Sequence, residues 1–250
     1  MHIEQKALED FHAHVLAEYP KEACGLIVSG AFVPCVNAAE TPLTDFRIAA
    51  HEVVLATAKG GVIEAVLHSH PYDMTVRQLY PAEWPSTKDM TSWLNNPTVP
   101  WGIAKTEGEN VSSLVWLEDE PNTPVLGRQF VHGIHDCYSV IRDWYWQEHQ
   151  IKLKNFARGW GWWETNANLY EENFKLAGFH EVRLEDIQIG DVLMMKYGAR
   201  VINHAAVVTG NNQITHHMFH KLSCTDQVSS WHRMIIKVVR YTDGLGDKQE

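Results

Sequence analysis

Histidine, cysteine and acidic residues form two groups along this sequence of 250 residues, and each group has the composition of a reactive site. The first group contains Glu22, His68, His70, Ser86 and Asp89. The second contains Cys137, His204 and His216. The first offers nitrogen and oxygen ligands for a metal ion together with a carboxylate base, and the second offers a thiol nucleophile with imidazole partners.

Two H-x-H pairs occur, and the predicted element that carries each pair separates them. His12 and His14 lie in a predicted helix, where residues two apart point in different directions. His68 and His70 end a predicted strand, where residues two apart share a face and both imidazoles can reach one ion. With Asp89 they make three ligands and leave the fourth tetrahedral position of a zinc ion to water, as in catalytic rather than structural zinc sites.

The order of a glutamate, then H-x-H-P, then S-x-x-D resembles the JAMM/MPN family of zinc metallopeptidases. The resemblance implies that His68, His70 and Asp89 bind zinc. It also implies that Glu22 is the general base and that Ser86 steadies the tetrahedral intermediate.

Two features leave alternatives open for this first group. Residues 71–85, between the second histidine and the serine, form a longer spacer than the family usually has, and their aromatic residues and prolines could reshape or cover the cleft. The S-x-x-D motif ahead of a helix is also an ordinary capping box. The zinc would therefore serve either an active peptidase or a domain whose peptidase activity is vestigial.

Cys137 follows Asp136 at the start of a predicted amphipathic helix, where the helix dipole favours the thiolate. A cysteine nucleophile needs a histidine base and a group that orients this base. His204 begins one predicted strand and His216 lies on the returning strand. A three-residue loop between them puts both histidines on one face, whereas a two-residue loop would bring His217 there instead.

These features resemble the NlpC/P60 family of papain-like cysteine peptidases over about residues 128–241. The resemblance implies that Cys137 is the nucleophile, His204 the base and His216 its orienting partner. It also implies cleavage of amide bonds in peptidoglycan stem peptides through an acyl-thioester. The backbone N–H of Cys137 is expected in the oxyanion hole, and His132 is a candidate for a second donor.

Around these residues the sequence predicts two α/β (α+β) domains. Residues 1–117 alternate strands and helices, including a predicted strand at 46–49, and form the JAMM/MPN-like domain. Residues 118–127 combine prolines and acidic residues without periodicity and predict a linker. Residues 128–250 place helices before antiparallel strands and form the papain-like NlpC/P60 domain. Within it, the tryptophan-rich stretch 160–163 either packs in the core or borders a substrate groove.

Composition excludes several classes of protein. Apolar residues make up 45% of the chain and charged residues 21%, as in globular proteins, and no apolar run approaches the roughly 18 residues of a membrane span. The net charge of −10 argues against a nucleic-acid partner. The cysteines form no C-x-x-C pair, so neither a zinc ribbon nor a thioredoxin-type redox site is supported.

The two families fused in this order resemble the tail assembly or tail tip proteins of long-tailed, lambda-like phages. The resemblance implies two kinds of partner, peptidoglycan stem peptides and other tail tip proteins. The first residues lack the basic-then-apolar order of a secretory signal, which fits a protein that assembles in the host cytoplasm and reaches the periplasm on the virion tail tip. The alternative is an assembly or scaffold factor in which one or both sites are structural or process another tail protein.

Overall fold

A computed structural model describes residues 2–72, 80–118 and 123–242. The chain forms two compact units, Met1–Asp119 and Glu120–Glu250. Parts of the predicted spacer (73–79) and linker (119–122) lie outside the described residues. No helix in the described part of the chain combines the length and the apolar character needed to cross a bilayer.

The first unit is built on a five-stranded sheet. Its helices are α1 (Gln5–Glu18), α2 (Ala50–Thr57) and α3 (Thr87–Leu94). Its strands are β1 (Cys24–Val28), β2 (Ala31–Cys35), β3 (Ile63–Pro71), β4 (Trp101–Thr106) and β5 (Val115–Leu117). The strand order is β2-β1-β3-β4-β5, with β3 and β4 parallel and the other neighbours antiparallel.

Helix α1 packs on this sheet through residues spaced by four. Ala7, Phe11 and Val15 are buried and share a core cluster with Ala65 and Leu67 of β3. Deleting a buried side chain as large as Phe11 costs about 3–5 kcal/mol, so this face of α1 holds the helix in place. The same packing fixes β3, which carries the histidine pair.

The predicted strand at 46–49 is wrong. Ile48 makes only an isolated bridge to Asn37, and the ring of Phe46 stacks on the imidazole of His68 with centroids 4.2 Å apart. Phe46 and Ile48 also pack against the core cluster formed by β1 and β2, so packing rather than strand pairing holds these residues.

The second unit contains a six-stranded antiparallel sheet. Its helices are α4 (Cys137–His149), α5 (Leu169–Asn173) and α6 (Val228–Trp231). Its strands are β6 (Phe179–Val182), β7 (Val192–Met195), β8 (His204–Gly210), β9 (Gln213–His216), β10 (Cys224–Gln227) and β11 (Ile235–Tyr241). The strand order is β10-β9-β8-β7-β11-β6. Buried residues of α4 share a core cluster with residues of β7 and β8, so the start of α4 is positioned against the sheet.

A bulge sets the register of the β8–β9 hairpin. Gly210 pairs with Gln213 across a two-residue turn, but beyond the bulge Val208 pairs with Ile214. The bulge adds one residue to β8, so the body of the hairpin has the register of a three-residue loop. The two-residue loop therefore describes the turn itself, and the three-residue loop describes the pairing of the strands beyond the bulge. This second register puts His204 and His216 on one face.

Candidate functional sites

Cys137 is the first residue of α4, and a charged cap fixes this start. The Asp136 carboxylate accepts hydrogen bonds from the backbone N–H and the hydroxyl of Ser139, both at 3.0 Å. As the first helical residue, Cys137 has a backbone N–H without an acceptor in its own helix. This N–H is therefore available to a substrate oxyanion.

The cap is paired with a buried arginine. Arg158 donates from Nε to Oδ2 of Asp136 at 2.7 Å and from Nη2 to Oδ1 at 3.0 Å, and the two residues are 6% and 1% exposed. Burial alone favours the neutral acid, but the guanidinium outweighs it and holds the pKa of Asp136 far below its usual range. The cap beneath Cys137 is thus a carboxylate.

The thiol of Cys137 is neutral at physiological pH. Burial, with the charge of Asp136 added, raises the pKa of Cys137 to about 11. The Tyr170 hydroxyl, 3.1 Å from Sγ, and the backbone N–H of Ala205 act in the opposite direction without overcoming it. The expected stabilisation of a thiolate at the helix start is therefore outweighed by desolvation, and the thiol needs a base at the moment of attack.

His204 and His216 form a hydrogen-bonded series that ends at an aspartate. Nε2 of His204 lies 3.0 Å from Nδ1 of His216, and Nε2 of His216 lies 3.1 Å from Oδ2 of Asp226. Both histidines are buried, and Asp226 also accepts a hydrogen bond from the indole N–H of Trp231 at 3.1 Å. Burial lowers the pKa of His204 to about 3 and also lowers that of His216. Both rings are therefore neutral, each with one N–H and one lone pair.

The series assigns the tautomers. A carboxylate only accepts, so His216 carries its proton on Nε2 and presents a lone pair at Nδ1. His204 must then donate from Nε2, which leaves the lone pair on its Nδ1. This Nδ1 has no hydrogen-bond partner among the residues that the structure describes. The backbone of Ala205, the residue after His204, interacts with the sulfur of Cys137. The lone pair on Nδ1 of His204 therefore lies on the segment that borders the thiol.

An aromatic cavity of about 610 Å³ joins these groups. Cys137 and His204 line it, and its walls include Phe130, His132, Trp160, Trp163 and Phe219. Trp162 also lines the cavity and is buried at 8% exposure. The stretch 160–163 thus both packs in the interior and borders the cavity.

In the first unit, β3 and α3 bring three predicted ligands together. Nε2 of His68 and Nε2 of His70 are 3.1 Å apart, and each lies 3.3 Å from one oxygen of Asp89. Donors about 2.0–2.2 Å from a tetrahedral zinc lie about 3.3–3.6 Å from one another. The two histidine nitrogens are slightly closer than this, and each faces a different oxygen of Asp89, so the spacing of the set is close to that of a zinc site. The set therefore has the donor types of a zinc site and nearly its spacing.

The charges of this cluster balance one another. Burial opposes the charged form of His70, but its hydrogen bond to Asp89 outweighs this and raises the pKa of His70 to about 9. Burial likewise opposes ionisation of Asp89, yet the two histidines hold its pKa well below its usual range. Glu22, which is 6% exposed, has its pKa raised to about 8 by burial, with the charge of His70 opposing this. Glu22 is thus a buried acid within electrostatic reach of the cluster.

Neighbouring groups orient the ligands. Nδ1 of His70 donates to the backbone oxygen of Ala82 at 2.6 Å, which aims Nε2 at the cluster. Asp89 also completes a capping box, because its Oδ2 accepts from the N–H of Ser86 at 2.7 Å while Oγ of Ser86 accepts from the N–H of Asp89 at 3.1 Å. The two interpretations of S-x-x-D are therefore compatible, since the cap presents the carboxylate to both histidines.

Three residues of the second site were not found from the sequence. Asp226 lies on β10, a strand that the pattern did not predict, and Arg158 lies in a stretch without periodicity. Tyr170 lies on α5 and belongs to no recognisable motif. The pair of Asp136 and Cys137 was the sequence feature that could have indicated Arg158. An acidic helix cap buried under a nucleophile needs a cation to balance its charge.

Comparison with known proteins gives the class of the second unit first. Residues 127–240 match the NlpC/P60 family, so this unit carries an NlpC/P60 domain, as predicted. A solution structure of a Desulfitobacterium hafniense protein is 22% identical, covering 47% of this chain and 84% of that one, with a TM-score of 0.36.

Two relatives then extend the comparison to the rest of the chain. Tail tip assembly protein K of Escherichia phage N15 is 30% identical over 252 residues, covering 98% of both chains. Tail tip assembly protein K of Escherichia phage lambda is 30% identical over 174 residues, covering 69% of this chain and 79% of that one. The chain therefore belongs to the family of the phage tail tip assembly protein K. The JAMM/MPN resemblance and the roles of individual residues stay predictions.

Proposed function

We propose that the second unit is a cysteine endopeptidase that cleaves peptidoglycan stem peptides at the tip of a phage tail. The observation that carries this proposal is the series from Asp226 through His216 to His204, which leaves an unprotonated nitrogen on the segment that borders the thiol of Cys137. The NlpC/P60 family and the tail tip relatives support the same activity and place of action.

The proposed reaction begins with proton transfer coupled to attack. With the pKa of Cys137 near 11 and that of His204 near 3, the resting pair is neutral. Nδ1 of His204 takes the thiol proton as Sγ bonds to the amide carbon, and the backbone N–H of Cys137 donates to the developing oxyanion. His204 then protonates the leaving amine, and the acyl-thioester remains on the sulfur.

Deacylation returns the site to its first state. His204 takes a proton from water as the water oxygen attacks the thioester carbon, and the proton returns to the sulfur as the acid leaves. His216 and Asp226 act by holding His204 in the tautomer whose lone pair is on Nδ1, and by stabilising the imidazolium that forms.

The net charge of −10 gives no attraction to anionic wall polymers. We therefore infer that other tail tip proteins place the enzyme against its substrate. Assembly would take place in the host cytoplasm, and the virion would carry the protein to the wall.

Product analysis of digested peptidoglycan tests this function. The wild-type chain should release cleaved stem peptides, and Cys137→Ala should release none. Cys224→Ser is the matched control in metal-free buffer, because it changes a partly exposed thiol in the same unit and should leave metal-free cleavage intact. Equal release by the wild type and Cys137→Ala would refute the proposal.

The cluster of His68, His70 and Asp89 supports a second proposed function, a zinc-dependent peptidase of the JAMM type in the first unit. These three residues would hold the ion, which when bound would supply Lewis-acid polarisation of a carbonyl. Glu22 has its pKa near 8, which suits a group that accepts and returns a proton near neutral pH. Ser86 lies exposed at the start of α3, beside Asp89, where its hydroxyl can donate to a tetrahedral intermediate.

Two variants separate an active zinc site from a structural one. His68→Ala should lose the one equivalent of zinc that the first unit holds in the wild type, whereas Glu22→Gln should keep it. If Glu22→Gln leaves the peptide products and the processing of other tail proteins unchanged, the zinc is structural. If His68→Ala retains the full zinc content, the metal site itself is refuted. Tail assembly with each variant tests the alternative of an assembly factor whose sites are structural.

A further inference from the structure

Cys224 lies beside the outer end of the series that orients His204. In the pairing of β10 with β9, Cys224 is the direct partner of His216, and Asp226 follows two residues later on the same face of its strand. Sγ of Cys224 lies 3.8 Å from Nε2 of His216, and the carboxylate of Asp226 lies 3.1 Å from the same nitrogen. The three donor atoms lie within 4.8 Å of one another.

This set has the chemistry of a zinc site distinct from the cluster in the first unit. It combines a thiol, which ionises when it binds a metal, with an imidazole and a carboxylate, and these are the ligand types of zinc in proteins. Cys224 is partly exposed and the Asp226 side chain is 45% exposed, so an ion can reach the set from solvent and water can complete its coordination. We propose that His216, Cys224 and Asp226 bind zinc, and that binding turns off the thiol site by reversing the tautomers of the two histidines.

The reversal follows from the direction of each hydrogen bond. Without metal, His216 donates from Nε2 to Asp226, because a carboxylate is a far better acceptor than the Cys224 thiol. A metal ion on Nε2 requires the lone pair there, so the ring proton must move to Nδ1. His216 then donates to Nε2 of His204 instead of accepting from it. His204 must in turn carry its own proton on Nδ1, the nitrogen that is needed as the base.

Metal binding and loss of activity depend on different features of the second unit. Metal binding at Cys224 depends only on the geometry of β9 and β10. The loss of activity depends on the proposed function, because it requires that His204 accepts the proton of Cys137. Binding is therefore measured without any substrate, and activity is measured separately.

Cobalt(II) is the probe for binding, because a cysteine ligand gives it a thiolate charge-transfer band in the near ultraviolet. The full-length chain carrying His68→Ala is used so that the first cluster does not contribute. One equivalent of cobalt should produce the band, zinc should abolish it, and Cys224→Ser should lack it. Cys137→Ser, the matched control, should keep it. A band that survives Cys224→Ser, or no band at all, would overturn the proposed site.

Nitrogen-15 NMR spectra of the imidazole rings in the same chains show directly which ring nitrogen carries the proton. Without metal, both His204 and His216 should carry their protons on Nε2; with zinc, both should carry them on Nδ1. Unchanged tautomers in the presence of bound zinc would refute the reversal. Cys224→Ser should show no change on addition of zinc, and its unperturbed spectrum without metal would verify that it is folded.

Peptidoglycan cleavage then tests the consequence. Zinc should slow the His68→Ala chain by about tenfold or more, since a histidine held in the wrong tautomer can cost about 10⁴ in kcat. The double variant with Cys224→Ser should resist zinc. Cleavage that is insensitive to bound zinc would overturn the inhibitory role, whereas absence of cleavage in the metal-free wild type would refute the proposed function and leave the binding result standing.

Discussion

Replacement of Arg158 by methionine should destabilise the second unit far more than loss of an exposed arginine with the same geometry. Arg158 forms a bidentate pair with Asp136, and both side chains are almost fully buried. Arg183 forms a bidentate pair with Asp186 at nearly the same distances, 2.8 and 3.1 Å, but these side chains are 70% and 48% exposed. Burial is therefore the main difference between the two perturbations.

The expected magnitudes follow from this difference. Breaking a buried pair leaves an uncompensated charge and costs about 3–5 kcal/mol, whereas an exposed pair contributes about 0.2–1 kcal/mol. Arg158 also donates to the backbone oxygens of Gly133 and Phe156, so the cost of its loss lies toward the upper end. Arg183→Met supplies the baseline for removing a guanidinium.

Urea unfolding of the full-length chain, followed by circular dichroism, measures both variants. Since the chain has two compact units, the transition that belongs to the second unit is identified as the one that Arg158→Met shifts. If Arg158→Met costs no more than Arg183→Met, the buried pair does not hold the start of α4 as argued.

The pH dependence of the free energy of unfolding gives an independent test of the pair of Asp136 and Arg158. In the wild type the pKa of Asp136 is depressed, so the stability that it contributes is present above its unfolded pKa and is lost as the pH falls through the folded pKa. In Arg158→Met, burial without the cation should raise this pKa instead. Protonation then relieves the variant as the pH falls from this raised pKa to about 4, and the wild type loses stability below about 4. The deficit of the variant relative to the wild type should therefore shrink through both ranges.

Three further predictions concern the candidate sites. Asp226→Asn should lower kcat for peptidoglycan cleavage by at least about tenfold with little change in KM, because the amide no longer fixes the tautomers of His216 and His204. An unchanged kcat would show that Asp226 does not orient the two histidines. Alkylation of Cys137 by iodoacetamide should accelerate continuously with pH up to about 11, and a plateau below pH 7 would instead reveal a thiolate. Burial raises the folded pKa of Glu22 from 4.5 to about 8, so the metal-free wild type should lose stability as the pH rises between these two values. The loss is at most about 5 kcal/mol, and Glu22→Gln should abolish it. Parallel curves of stability against pH for the two chains would contradict this.

Local patterns predicted the parts of each site that follow from strand and helix geometry. Residues two apart at a strand end share a face, and this rule separated His68 and His70 from the other H-x-H pair. An acidic residue followed by cysteine before an apolar helical pattern marked the start of α4 at Cys137. Both inferences use positions within one element, where the sequence carries the geometry.

The remaining parts depend on contacts that no local pattern carries. Strand β10 reads Cys-Thr-Asp-Gln, without apolar alternation, because it is an edge strand whose side chains are largely exposed. The sequence pattern therefore did not identify Asp226 as a partner of His216. The bulge in β8 decides which histidine faces His204, and loop length alone leaves this choice open. Phe46 resembles a strand residue, although its ring packs on an imidazole.

The two sites use the same residue types, two histidines and one aspartate, in different geometry. In the first unit the donors converge, since the two Nε2 atoms are 3.1 Å apart and each lies 3.3 Å from one oxygen of Asp89, so an ion between them can meet all three residues. In the second unit they stand in series, each contacting the next through opposite ring nitrogens, so a change at one end alters the protonated nitrogen at the other. The convergent arrangement is suited to metal binding and the serial one to orienting a base. Cys224 adds a third donor around the last nitrogen of the series, and at that point the serial arrangement also becomes convergent.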